Sequence, residues 1–473
     1  MENHFELIIV GAGPGGYVAA IKAAQLGFRT AIVEAREVGG TCLNRGYIPA
    51  KAMIHAADLY REMNEAGRYG LHAENVSVNY DELLAYKEDT TRKLVGGVEQ
   101  LLSGNGVTLL CGHGLVHADK TVRLTDSEGR ISDYSADNII VASGSEPIIL
   151  PVPGMELEGV LTSDGLFRLT ELPESLVIIG GGVIGVEFAT AFCDLGTRVT
   201  IVEGSPRLVP NLDKEISQNL RMIMKRRGVE IHTGAMVGSV TKDDEHDELI
   251  VQFMEKDKPV EARGRYVLCS VGRRANTNGV FAPGEEPEMN RGRIRTNERF
   301  ETSIPGIYAI GDCTEGIQLA HAAEAQGIAC VEMLRGEMPS VDTNVVPSCV
   351  YTSPEIASVG LTEEEAEAQG LNVRVGKYLT ASNGKSMITR EERGFVKIII
   401  DADTERVLGC QMMCARATDM ISEFTVAVAD AWTVRDLLRA VRPHPTYNES
   451  IGEALETFEG GSIHALGAKT RRK

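Results

Sequence analysis

One unit of sequence occurs twice in this chain of 473 residues, and it constrains the fold more than any other feature. At the N-terminus the apolar run FELIIV leads into Gly11-Ala12-Gly13-Pro14-Gly15-Gly16, then a helical stretch, YVAAIKAAQLG, and a second apolar run ending at Glu34. In the middle, SLVII leads into Gly180-Gly181-Gly182-Val183-Ile184-Gly185, then VEFATAFCDLG and TRVTIVE, with Glu203 in the equivalent place. In both copies a helix-ending glycine (Gly27, Gly196) follows the first glycine by 16 positions and the acid follows it by 23.

The first glycine allows a tight turn out of a strand, the second lets backbone approach a pyrophosphate, and the third lets helix pack on strand. The helix N-terminus offers free N–H groups and partial positive charge to the diphosphate. Gly27 and Gly196 stand where a left-handed C-cap is wanted. The acid accepts from the ribose hydroxyls of an adenosine. One such glycine turn says little, because turns of this kind without a ligand are common. Two copies, each complete with strands, helix and acid, predict an α/β chain with two dinucleotide sites and a relay between two cofactors. Glu203 would repel a 2′-phosphate, so the second site favours NAD over NADP, although nearby Arg207 pulls the other way.

Composition narrows the partners. Lys plus Arg number 48 against 67 Asp plus Glu, a formal charge of -19. That argues against a phosphate-backbone binder, which would need a basic face, and disfavours an anionic membrane surface. No apolar run approaches a membrane span, and MENHFEL carries neither the charged nor the apolar region of a secretion signal, so a cytoplasmic location is expected. The nine cysteines are scattered. In a reducing compartment the default for each is a buried apolar residue, which is the expectation for Cys111, Cys193, Cys269, Cys313, Cys410 and Cys414. No His/Cys cluster has ligand spacing, so no metal site is expected.

Further segments carry a family resemblance. IIVASGSEP (139–147) resembles the crossing strand of two-dinucleotide flavoproteins, with Ser143 where Thr is usual, followed by Gly144. TSIPGIYAIGDC (302–313) resembles their second FAD motif, VGRRANT (271–277) the segment closing the NAD domain, and LAHAAEAQG (319–327) the helix along the flavin. RPHPTYNESIGEAL (442–455) resembles their C-terminal His–Glu motif. The chain is identified as a member of the pyridine nucleotide–disulfide oxidoreductases, and it resembles their dihydrolipoyl dehydrogenase subgroup over essentially its whole length. The absence of an insert and the His-Pro-Thr ending favour that subgroup over glutathione reductase.

The resemblance implies FAD and NAD(H) as cofactors and a homodimer whose active sites are shared between subunits. It implies a FAD domain split over 1–148 and 273–343, an NAD domain at 149–272, and an α+β interface domain at 344–473. The FAD-binding positions would include Gly11, Gly13, Gly15, Gly16, Glu34 and Thr41. Ser143, Gly144, Gly311, Asp312, Ala320 and His321 would complete that site, with Asp312 on the ribitol chain. Gly180, Gly182, Gly185, Glu203 and Gly272 would serve NAD. The Pro/Gly-rich stretch 151–160 reads as a linker, 344–360 as extended segments broken by prolines, and the charged stretch 243–262 as a solvated hairpin.

One departure matters. The family's redox centre is Cys-x4-Cys, and here the segment reads Cys42-Leu43-Asn44-Arg45-Gly46-Tyr47. Cys42 matches the cysteine that exchanges with substrate, whereas Tyr47 replaces the one that touches the flavin. Dithiol oxidation needs two sulfurs, one to hold the substrate and one to pass electrons on. A phenol that titrates near pH 10 supplies neither function. Lys51 and Glu187 match the family's pair beside the flavin, where a cation favours the charge of the reduced ring. His444 and Glu449 match its acid–base dyad.

Three readings follow. The first is a FAD-dependent NAD(H) oxidoreductase that has lost its dithiol route, so that electrons pass from the flavin directly to a small acceptor: dioxygen, a quinone, a dye or a second nicotinamide. Family transhydrogenases also lack the second cysteine, although they do not carry the dyad in this form. The second is single-thiol chemistry at Cys42 and His444 on a thiol or thioester, with Tyr47 as wall or proton donor. The third is a non-catalytic FAD- and NAD-binding subunit.

Overall fold

The fold was obtained as a computed structural model that describes residues 3–466 and 471–472. The first sheet has a parallel core in the order Thr108–Cys111, Thr30–Glu34, His4–Val10, Ile131–Val141 and Ile307–Ala309. An antiparallel meander, His113–Val116 and Thr121–Thr125, extends it from the near end of Ile131–Val141. Leu7 to Val10 are all buried, as parallel strands covered on both faces must be.

The second sheet is wholly parallel, in the order Glu230–Thr233, Arg198–Glu203, Ser175–Ile179, Tyr266–Cys269 and Val160–Leu161. Beside it lies a three-stranded antiparallel sheet, Ala235–Asp243, Glu248–Glu255 and Lys258–Gly264. The stretch 243–262 is therefore more than a solvated hairpin. Leu249, Val251 and Phe253, at alternate positions of one strand, and Ala262 of the next bury one face. The third sheet is antiparallel, in the order Ser348–Val350, Ile356–Gly360, Val407–Met413, Phe395–Asp401, Val373–Leu379 and Arg471–Arg472. The helices Ser422–Ala429 and Glu449–Glu456 share its apolar core.

The two glycine turns are near copies in space. Gly11 and Gly180 have φ of 106° and 108°, a region that L side chains rarely adopt. A Cβ on Gly16 would fall 1.8 Å from the Gly11 carbonyl oxygen, and one on Gly185 would fall 2.0 Å from that of Gly180. A Cβ on Gly13 or Gly182 would meet nothing within 4 Å. The outer glycines of each motif are thus required by the protein's own packing, whereas the middle one faces open space.

Candidate active site

Two cavities adjoin at the ends of the parallel sheets. The smaller, about 500 Å³, opens at the first glycine turn. Gly11, Gly13, Gly15, Glu34 and Thr41 line it, and Ser143, Gly144, Gly311, Asp312 and Ala320 complete its wall. Two of the positions expected at FAD lie elsewhere. Gly16 is packed behind the turn against Gly11, and the His321 ring hydrogen-bonds the Pro347 carbonyl at 2.7 Å instead of lining the cavity. The larger cavity, about 670 Å³, opens at the second turn and is lined by Gly180, Gly182, Glu203 and Gly272, with Gly185 again packed behind.

The residues present fit a dinucleotide in each cavity. Gly13 and Gly182 leave open space where a diphosphate would approach. The Ser143 hydroxyl is buried at the wall of the smaller cavity, beside the Cys313 thiol. Both acids are fixed at their strand ends in the same manner. Glu34 accepts from the Ala12 N–H at 2.7 Å and the Arg36 N–H at 2.8 Å, and Glu203 from the Gly181 N–H at 2.5 Å and the Ser205 N–H at 2.6 Å. Arg207 is held away from the larger cavity. Its guanidinium donates to the carbonyls of Pro210 and Leu212 and to Glu364.

Between the cavities stands the segment that carries the cysteine. Its short helix, Gly40–Arg45, docks on the first glycine turn, because a Cβ on Gly40 would lie 2.7 Å from Gly13 Cα. After Gly46 the helix Tyr47–Asn64 begins. Its buried positions Ala50, Met53, Ile54 and Ala57 follow helical spacing and share a core with Val186, Phe188 and Phe192 of the helix Val183–Asp194. That contact brings Lys51 Nζ to 2.7 Å from Glu187 Oε2, while Glu187 Oε1 accepts from the Tyr351 N–H at 2.9 Å. The ammonium lies 5.0 Å from the centre of the Tyr47 ring and 4.5 Å from that of Tyr351, within range of cation–π attraction.

Tyr47 lines both cavities, and Cys42 only the smaller. Burial, with the charges of Asp312 and Glu187, pushes the Tyr47 phenol above its ordinary range. Burial also pushes the Cys42 thiol up to about 12, helped by Glu324 and Asp312 against the lowering effect of Lys51. At neutral pH its thiolate fraction is then roughly a thousandfold below that of an ordinary thiol. Iodoacetamide at pH 7.5 is expected to label Cys42 at least about tenfold more slowly than a free thiol, read by peptide mass spectrometry. Labelling at the free-thiol rate would refute the burial argument.

His444 and Glu449 line neither cavity. His444 Nδ1 is 2.8 Å from Glu449 Oε1, and Glu449 Oε2 accepts from the Thr446 N–H at 2.8 Å. Partial burial works to raise the Glu449 carboxyl, but those two partners hold it below the usual carboxylate range. The imidazole side chain is 77% exposed, so the pair is formed within one chain but faces outward.

Sequence reasoning did not single out Arg273 or Cys349. Arg273 lines both cavities. It donates from Nε to Ser145 Oγ at 2.8 Å, and Ser145 in turn donates to Asp312 Oδ2 at 2.5 Å. Its signal was its place directly after Gly272 in a segment already matched. Cys349 lines the larger cavity, and burial with Glu355 pushes its thiol up to about 11. Of the cysteines expected in the core, Cys269, Cys313, Cys410 and Cys414 are buried and Cys193 is partly so, but Cys111 is exposed at its strand end. Among the described residues no helix is long and apolar enough to cross a membrane.

Comparison with known proteins fits this geometry. Residues 5–327 match the family model for pyridine nucleotide-disulphide oxidoreductase, and residues 346–455 match the dimerisation domain of the same family. A dihydrolipoyl dehydrogenase of Bacillus subtilis (strain 168) is 40% identical, covering 98% of this chain and 100% of the relative. That of Geobacillus stearothermophilus is 37% identical over 98% of this chain and 97% of its own. Among solved structures, LpdA of Mycobacterium tuberculosis superposes with a TM-score of 0.87 at 28% identity, covering 95% of this chain and 99% of that one. The Cu(II) complex of the HOCl-induced flavoprotein disulfide reductase RclA of Escherichia coli gives 0.85 at 26% identity, covering 96% and 99%.

Proposed function

Since the chain belongs to the pyridine nucleotide-disulphide oxidoreductase family, we propose that it is a FAD-dependent NAD(H) oxidoreductase that passes electrons to a small acceptor without a redox-active disulfide. The observation that carries this reading is Tyr47 at the junction of the cavities, beside an intact Lys51–Glu187 pair. When bound, FAD supplies a two-electron store that takes a hydride from the nicotinamide.

The chain's own residues have separable tasks. Glu34 and Glu203 hold adenosine riboses, and the middle glycines admit the diphosphates. Glu187, 5% exposed, fixes Lys51 and so keeps a cation where charge develops. Tyr47 and Tyr351 stand on two sides of that cation. The displaced Arg207 supports NAD over NADP. The match to a dimerisation domain and the outward-facing His444 support a homodimer in which this dyad serves the neighbouring subunit's site.

Anaerobic titration of the holoenzyme with NADH tests the reading. One equivalent is expected to bleach the flavin, with no long-wavelength thiolate–flavin band. Uptake of a second equivalent with such a band would mean that another thiol has replaced the missing one, and the disulfide-reductase reading would return. No bleaching would leave a binding subunit.

A further inference from the structure

The strand Phe395–Asp401 of the third sheet reads FVKIIID, an apolar run with one lysine inside it. Lys397 is 5% exposed, and an ammonium that deep is retained only where it is paired. Its partner lies beyond the sheet, at the start of the helix Lys214–Arg226. Lys397 Nζ is 2.9 and 2.8 Å from the two carboxylate oxygens of Asp213, itself 2% exposed, and 3.3 Å from Glu215 Oε2. Glu215 pairs in turn with Lys377, which faces Lys397 across the neighbouring strand. A buried ion pair is weak evidence for stability, because apolar residues of similar volume often do as well in its place. What such a pair can fix is position.

Asp213 ends the loop that begins after Glu203. Gly204, Ser205, Pro210 and Asn211 of that loop line the larger cavity. The loop is strained, since Val209 has a φ of 40°, a region that a β-branched residue rarely occupies. A strained residue persists only where its surroundings over-determine it. The Val209 N–H donates to the Gly181 carbonyl of the glycine turn at 2.8 Å, and Ser217 Oγ donates to the Leu208 carbonyl at 2.7 Å. Two further ties reach elements around the third sheet: Arg207 to Glu364 at 3.0 Å, and Asp213 to Lys397.

We propose that Lys397 is a positioning residue for the nicotinamide nucleotide. Through Asp213 it holds the loop that walls the larger cavity, so that the loop is ordered before the nucleotide arrives. This rests on the assignment of the larger cavity to NAD(H), and it adds that a strand with no part in either glycine turn sets the nucleotide affinity.

The test uses the oxidised holoenzyme and 1,4,5,6-tetrahydro-NAD, which binds without giving a hydride, titrated by calorimetry. Lys397→Met is expected to weaken binding at least about tenfold, while FAD content and the limiting rate of flavin reduction by saturating NADH stay within about twofold of the unmodified protein. Lys397→Arg keeps the pair and is expected to restore affinity. Lys397→Met leaves a buried carboxylate alone, which can unfold the chain, so the double variant Asp213→Asn with Lys397→Met is measured beside it. The double variant buries no lone charge, keeps a helix cap and still lacks the tie, so the same weakening of about tenfold is expected. Unchanged affinity in the double variant would overturn the proposal even if its melting temperature fell, because a merely structural role moves the melting temperature alone. Gly182→Ala is the control for the cavity. If it weakens binding and the Lys397 variants do not, the positioning role falls and the cavity assignment stands. If it also binds as the unmodified protein does, the cavity assignment falls and the positioning role with it.

Discussion

Replacing Tyr47 with cysteine is expected to raise NAD+-dependent oxidation of dihydrolipoamide by about a hundredfold or more over the unmodified protein, because thiol–disulfide exchange needs a second sulfur to release the first. Positions 42 and 47 both line the smaller cavity, and a Cβ on Gly46 would stand 3.3 Å from Cys42 Cα, so the two chain segments already run close together. A disulfide asks for Cα atoms about 4.4–6.8 Å apart, which a helix break between close segments can provide. The Tyr47 ring gives up its contact with Lys51, a loss of about 1 kcal/mol that the fold should tolerate. The measurements are dihydrolipoamide turnover and the anaerobic spectrum, which should gain a thiolate–flavin band. If the band appears without turnover, the fault lies in the dithiol's access to Cys42 or in the His444–Glu449 pair. If neither appears, the loss of this cysteine is not what separates the protein from its dithiol-oxidising relatives.

The second large effect is a contrast between glycines of one motif. Gly13→Ala is expected to fold with an apoprotein melting temperature equal to that of the unmodified apoprotein yet retain less than about a tenth of its FAD, because the new methyl group fills only the space the diphosphate needs. Gly182→Ala should keep FAD and lose NADH affinity by about a hundredfold, read by equilibrium titration. Gly16→Ala and Gly185→Ala should instead lower the melting temperature itself, since each added Cβ lands 1.8 or 2.0 Å from a carbonyl oxygen. Overpacking of that kind typically costs about 1–3 kcal/mol. Equal loss of FAD and NADH in Gly13→Ala and Gly182→Ala would refute the assignment of one cavity to each cofactor.

Both glycine turns were legible in the sequence because their requirements are local. A left-handed φ, a helix N-terminus and an acid at a strand end all lie within 23 residues of one another, and a linear pattern records them. The half-buried face of 235–264 was less legible. Its buried positions Leu249, Val251 and Phe253 are separated by Ile250 and Gln252, so a one-sided apolar face does not stand out in the linear pattern. The exposure of Cys111 could not be read either, because a strand end and a strand middle look alike in composition.

The sequence by itself determined the two Rossmann units, the family and the presence of Tyr47 five positions after Cys42, since each is a matter of residue type at fixed short spacing. The tertiary structure decided what those residues meet. Lys51 and Glu187, 136 positions apart, are joined because two apolar helix faces pack together. Arg207 turns from the second cavity because the interface domain offers it Glu364. Arg273 and Tyr47 stand at the junction because two sheets end at the same place. Those contacts depend on how whole elements pack, and no local spacing records that.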